Sequence, residues 1–324
     1  MKKIIGFITL FILAALTCTS CITLTLQSPA SQSAVTEFPA TVVPSLAPEQ
    51  ATITPEIFIA LTQAIPGEFQ PTDMIMPPTT IAGQPASADT TVNYQPLSVT
   101  IPQGIASGAS GNNFPRVDSD DAAWWQKTPG HLQVNLGDYY VLQGKTHQPA
   151  IYVYPASGYA ELVPTAFESI HRLQNYLYAP NNVPVLDQLP GVPFFNAQIL
   201  FAAHIQPVAF QNGIGIRYIT QNAQYSAPAN NLDLFYNFIG ISSDGAYYIV
   251  AIFPLTNSVL AETPDAGAPL PARGIPYPYL ADPAANMDAY YIAATDLLNV
   301  QPGDSFTPRL DELDLLIQSM RITP

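Results

Sequence analysis

The chain predicts an α+β fold in which helices pack against one antiparallel sheet, and three observations carry that expectation. Long apolar runs between 198 and 255 are separated by Asn212-Gly213 and Asp244-Gly245, dipeptides that favour tight hairpin turns. Phe167, Ile170, Leu173, Tyr176 and Leu177 recur at helical spacing, as do Leu310, Leu313, Leu316, Ile317 and Met320; each set draws one apolar stripe. Strands that follow one another, with helices before and after, describe a meander in an α+β sandwich.

The N-terminus has the order of an export signal: Lys2 and Lys3, the apolar run Ile4–Leu16, then Thr17-Cys18-Thr19-Ser20-Cys21. That run is shorter than the about 20 residues needed to span a bilayer, so cleavage is expected rather than a membrane span. The segment resembles bacterial lipoprotein signals. Thr19, Ser20 and Cys21 stand at the last three positions of a lipobox, while Cys18 occupies the place of its aliphatic residue. The resemblance implies a signal peptide over 1–20 and lipidation of Cys21, with Cys18 as the alternative acceptor. Both cysteines of the chain lie here, which leaves the rest without a disulfide framework or a thiolate metal site.

Residues 21–90 read as a Thr/Pro/Ala-rich tether, because a stretch so poor in aromatic residues cannot bury enough apolar surface to offset its ordering entropy. As flexible coil it reaches about 45 Å. One short helix is expected within it, over Thr54–Ala64, with Pro55 at the first helical position. The formal net charge of −14 argues against nucleic acid as a partner. It also leaves an acyl anchor, rather than attraction to anionic headgroups, to hold the protein at a membrane.

A single domain is expected over 91–324. Apolar alternation begins near Tyr94-Gln-Pro-Leu-Ser-Val-Thr-Ile, continues in a strand from Leu132 to Leu142 bent at Gly137, and then in Ala150-Ile-Tyr-Val-Tyr. A helix follows over Glu161–Leu177. Gln198–Phe210, Ile214–Gln221, Leu232–Ser242 and Ala246–Leu255 make the four-stranded meander. The Pro/Ala-rich stretch 256–286 reads as a long loop, of the kind that is functional or mobile. Helices follow from Met287 to Leu298 and after Thr307, where Thr307 caps, Pro308 takes the first position, and Asp311 and Glu312 suit the helix dipole.

Three segments resemble the PsbP-like fold of a photosystem extrinsic protein and several bacterial lipoproteins: Pro149-Ala-Ile-Tyr-Val-Tyr-Pro before a helix, the Asp-Gly hairpin before Ala246-Tyr-Tyr-Ile-Val-Ala, and Leu313-Asp-Leu-Leu-Ile-Gln-Ser-Met-Arg-Ile. The resemblance implies a sandwich over about Gln95–Ile322. It implies no catalytic residue, since that family shares no active site, and the 256–286 stretch departs from its compact pattern. The chain is also similar to bacterial lipoproteins with a Thr/Pro-rich stalk.

No serine-nucleophile elbow, phosphate-binding loop, zinc-protease helix motif or dinucleotide fingerprint is present, and Gly108-Ala-Ser-Gly111 is one residue short of the elbow. No cofactor is implied. The Asp118-Ser-Asp-Asp121 cluster lacks the glycine and distal glutamate of a calcium loop and reads as a solvated turn; His131 and His147 read as packed or surface residues rather than metal ligands. Arg217, isolated in a strand, either clamps a ligand carboxylate or pairs across the sheet with Asp233. Adjacent aromatic pairs offer the better lead, because neighbours in a strand face opposite ways and one ring of each pair stays available. Trp124, Trp125, Tyr140, Tyr248, Arg217, Tyr277 and Tyr279 are therefore the candidate binding residues. The expected role is a membrane-anchored lipoprotein with a non-catalytic binding or scaffolding domain, its partner a cell-wall glycan or another envelope protein. A hydrolase of envelope polymers and a solute-binding lipoprotein are the alternatives.

Overall fold

The structure, a computed structural model, describes residues 89–139, 144–178 and 184–324. Cys18, Cys21, the expected helix at Thr54–Ala64 and Tyr140 lie outside the described residues. The domain opens with a hairpin of β1 (Thr90–Tyr94) and β2 (Leu97–Ile101). β3 (Gly108–Phe114), β4 (His131–Gly137) and β5 (Ala150–Pro155) follow, then helices α1 (Ala156–Leu162) and α2 (Pro164–Tyr178). The meander comprises β6 (Gln198–Phe210), β7 (Gly213–Ala223), β8 (Phe235–Ser242) and β9 (Tyr247–Pro254). The chain closes with β10 (Thr256–Asn257), α3 (Met287–Asn299), β11 (Phe306–Thr307), α4 (Leu310–Ser319) and β12 (Arg321–Ile322).

Seven strands form one antiparallel sheet in the order β3-β4-β5-β9-β8-β7-β6. β12 adds to β2 in a second, three-stranded sheet. The fold is thus mixed α+β, as its strand and helix periods predict. Among the described residues, no helix is long and apolar enough to cross a membrane.

The large sheet is buried on both faces, which explains why β8 and β9 read as nearly continuous apolar runs. Along β9, Ile249, Ala251 and Phe253 enter a core shared with β2, α3 and α4. Their neighbours Tyr248, Val250 and Ile252 enter a second core with α1 and α2. The α4 stripe is fully realised: Leu310, Leu313, Leu316, Ile317 and Met320 are all buried.

Four local expectations are corrected. Asn212-Gly213 is not the turn: register pairs Phe210 with Gly213, so Gln211 and Asn212 connect the strands. Asn212 instead holds β12, its side-chain amide donating to the Ile322 carbonyl (2.6 Å) and its oxygen accepting from the Ile322 amide (2.9 Å). The helix expected at 161–177 is two helices, broken at Val163, whose extended backbone precedes Pro164. Thr307 does not cap α4; it pairs with Thr256, and the helix begins only after Arg309. Arg217 does not pair with Asp233 but with Asp314 of α4, Nε to Oδ1 at 3.2 Å. Asp233 is engaged locally by Asn230 (2.9 Å) and by the Thr146 hydroxyl. The Asp244-Gly245 turn stands as expected, with Gly245 at φ 70°.

Candidate functional site

A cleft of about 510 Å³ opens beside α2, and Trp124 from a 3-10 turn forms one wall. Its second wall is the polar stripe Thr165, Glu168 and Arg172, exposed at Glu168 and half-buried at the other two, which recurs every three to four residues along α2. The floor is the segment leading into β6. Hydrogen bonds from the helix fix that segment: Thr165 Oγ1 donates to the Pro193 carbonyl (3.0 Å), Ser169 Oγ to Gly191 (2.6 Å) and Arg172 Nη1 to Leu189 (3.3 Å). Ser169 is in turn joined to the buried Tyr248 hydroxyl at 2.8 Å. The cleft is shaped before any ligand arrives.

What the cleft presents is an indole face and planar polar groups. Trp124 is 39 % exposed and stands edge-on to Trp125, ring centroids 5.4 Å apart. Asn196, Gln198 and Gln224 line the cleft and are exposed. Glu168 supplies the carboxylate of the lining, and Arg172 lies 3.7 Å from it. An aromatic platform surrounded by amides recognises a ligand with one apolar face and several hydroxyl or amide groups. The Ser169 hydroxyl is already engaged by Tyr248 and Gly191, and no histidine lines the cleft.

Among the described residues, Tyr248, Arg217, Tyr277 and Tyr279 do not line this cleft. Tyr248 is a correction: it is wholly buried against α1 and α2, because both faces of its strand are covered. Arg217 is also buried, bonded to the His204 carbonyl (2.6 Å) and to Asp314. Tyr277 stands edge-on to Tyr290 of α3 at 5.2 Å, and desolvation pushes its hydroxyl up to about 12. Tyr279, 79 % exposed, is the freely presented ring of the 258–286 loop. The two faces of the sheet separate these groups, since Trp124 and α2 lie on one side and α3 on the other.

His131 and His147 are packing residues. His131 stacks between Phe114 (5.5 Å) and Tyr154 (4.6 Å), and burial lowers its pKa. His147 stacks on Phe195 (5.0 Å) and meets Phe235 edge-on (4.5 Å); burial pulls its imidazole down to about 4. Among the described residues, no three His, Cys, Asp or Glu side chains gather to hold a metal ion. The polar stripe of α2 could have been read from its spacing. Asn196, Gln198 and Gln224 could not, because loop and strand-end amides carry no periodic signal. No known protein family, curated protein or solved structure matches the chain.

Proposed function

We propose that this protein is a membrane-anchored extracytoplasmic lipoprotein whose domain binds, without catalysis, a neutral saccharide of the cell envelope. The observation that carries the binding reading is the Trp124 cleft: an exposed indole, three amide side chains, and a carboxylate paired with the nearby guanidinium. An uncharged ligand suits a lining whose formal charges cancel and a chain whose net charge of −14 repels polyanions. The anchor reading rests on the charged, apolar and small-residue order of the first 21 residues, with 21–90 as the spacer. The PsbP-like reading rests on the strand Ala150–Pro155 feeding directly into a helix and on the terminal stripe Leu313–Met320.

Titration of neutral oligosaccharides against the full chain tests the binding reading. Saturable binding weakened at least about tenfold (~1.4 kcal/mol) by Trp124→Ala supports it; turnover of ester, glycoside or peptide substrates moves the assignment to a hydrolase. Palmitate labelling tests the anchor: Cys21→Ala should abolish uptake, and persistent labelling places the acyl group elsewhere.

A further inference from the structure

We infer that two copies of this chain pair through the outer edge of β3, which takes the partner's β3 antiparallel and joins the two sheets about a twofold axis at Asn112. The seven-stranded sheet ends differently on its two sides. β6 is closed as an edge: its register shifts at Ile199/Phe201 and again at Ala203/Gln206, Leu200 to Ala203 are buried, and α3 packs along it. β3 runs in unbroken register against β4 from Gly108 to Phe114, and its Ser110, Asn112, Asn113 and Phe114 are exposed. Strand edges invite pairing unless lysine, proline, a bulge or a cover blunts them. Residues 108–114 contain no charged side chain and no proline.

The hydrogen-bond pattern shows which backbone groups of β3 face outward. Alternate residues of an antiparallel strand bond to opposite sides. The Leu136 amide donates to the Pro149 carbonyl (3.0 Å), so Leu132, Val134 and Leu136 bond towards β5. Gln133, Asn135 and Gly137 then bond towards β3, where they oppose Asn112, Ser110 and Gly108. The Gly137 carbonyl bears this out, since it accepts from the Ser107 amide on that side (2.9 Å). Ala109, Gly111 and Asn113 therefore present their N–H and C=O groups away from β4. The Ala109 carbonyl accepts from the Tyr94 hydroxyl (2.7 Å). Among the described residues, the amides of Ala109, Gly111 and Asn113 meet no acceptor.

The edge is complementary to itself, as a twofold interface requires. With Asn112 on the axis, Gly111 exchanges both main-chain bonds with the partner's Asn113, and Asn113 does the same with the partner's Gly111. Pro115, which has no N–H, stands opposite the partner's Ala109, whose carbonyl Tyr94 already holds; the Ala109 amide meets the Pro115 carbonyl. The outward N–H groups of β3 are thus all taken up. Ala109 and Gly111 oppose Leu136 and Val134 of the core, so Ser110 and Asn112 lie on the other face. Two Asn112 amides meet there across the axis. An edge without charge offers no complement to a basic or acidic peptide, and it lets two chains of net charge −14 approach without repulsion between the paired strands.

An interface of this size is of the transient class, so the full chain is followed by sedimentation velocity from about 5 µM to about 1 mM at physiological ionic strength, which screens its net charge. A monomer–dimer equilibrium is expected, with hydrogen exchange at the Gly111 and Asn113 amides slowing as concentration rises. Asn113→Pro removes a donor that β4 does not use, and Asn112→Lys sets two like charges at the axis. Each should weaken association at least about tenfold, and Asn112→Lys should do so with thermal unfolding unchanged. With Cys18 and Cys21 replaced by serine, Asn112→Cys should oxidise to a covalent dimer, because residues opposed in a non-hydrogen-bonded pair lie about 4.5 Å apart at Cα, within disulfide reach. Ser110→Cys should not, since it lies four strand residues, about 13 Å, from its copy. A monomer throughout the range, equal oxidation of the two cysteine variants, or association indifferent to both edge variants would overturn the inference. Slow exchange at Gly111 and Asn113 that does not depend on concentration would overturn it in favour of another segment of the same chain at this edge. Trp124→Ala should leave association unchanged, which separates this edge from the saccharide cleft.

Discussion

Arg217 and Asp314 form a buried ion pair between β7 and α4, with side chains only 6 % and 14 % exposed and 3.2 Å between Nε and Oδ1. Asp314 also accepts from the Tyr236 hydroxyl (2.8 Å) and from Gln206 Nε2 (3.1 Å). Removing one charge strands the other in a dry site. Asp314→Ala is expected to cost about 3–5 kcal/mol, measured by denaturant unfolding. Arg217→Met combined with Asp314→Leu should cost clearly less than either single change. A double variant as unstable as the sum of the singles would show that the pair is not coupled.

His147 makes stability depend on pH. Burial between aromatic rings lowers its folded pKa from 6.5 to about 4, with Asp233 opposing weakly. Between those values the unfolded chain binds the extra proton, so stability rises with pH across this window. The contribution is complete above about 6.5 and lost as pH falls towards 4, by at most about 3 kcal/mol. Unfolding free energies at intervals over this range should show the slope in the parent chain. His147→Phe, which keeps a ring against Phe195, should flatten it. An unchanged slope would assign the effect to His131 or His204, whose pKa values burial also lowers.

Gly215 lies opposite Gly240 where β7 meets β8. A Cβ on Gly215 would meet the Ile239 carbonyl oxygen at 2.3 Å and Phe238 Cζ at 2.6 Å. Overpacking of this kind costs about 1–3 kcal/mol, so Gly215→Ala should lower the melting temperature. Gly108→Ala on β3, where nothing lies within 4 Å of the added atom, is the control and should leave it unchanged. Equal melting of both variants would contradict the packing described.

Ser169 connects the Trp124 cleft to the core, through Gly191 at 2.6 Å and Tyr248 at 2.8 Å. Ser169→Ala leaves both partners short of a hydrogen bond in a buried site, at about 1–3 kcal/mol. Saccharide affinity should fall with it, because the cleft floor loses one of its ties to α2. Stability measurements and titration on the same variant distinguish the two effects; full stability would show the tie to be dispensable.

The meander was legible from its sequence because both signals of an antiparallel sheet coincide there: long apolar runs and an Asp-Gly turn at 244–245. β3 was not, since Gly108-Ala-Ser-Gly-Asn-Asn-Phe has no apolar alternation and becomes a strand only by pairing with β4. At the candidate site, Trp124 was legible as one of an exposed aromatic pair. Tyr248 was misread because adjacent strand residues do face opposite ways, but here both faces are covered. Arg217 was misassigned because its partner lies 97 positions away, a separation on which strand spacing carries no information.

What the sequence by itself determined is local: the apolar runs of the meander, the stripes of α2 and α4, the Gly245 turn and the acidic balance. Periodicity and propensity act over a few residues, so these follow from order along the chain. Only the tertiary structure decided which faces are buried, that Asp314 rather than Asp233 neutralises Arg217, and that amides from separate segments converge beside Trp124. The same packing sets α3 along the β6 edge. Those relationships arise from layers meeting across the sheet, where residues distant in sequence become neighbours.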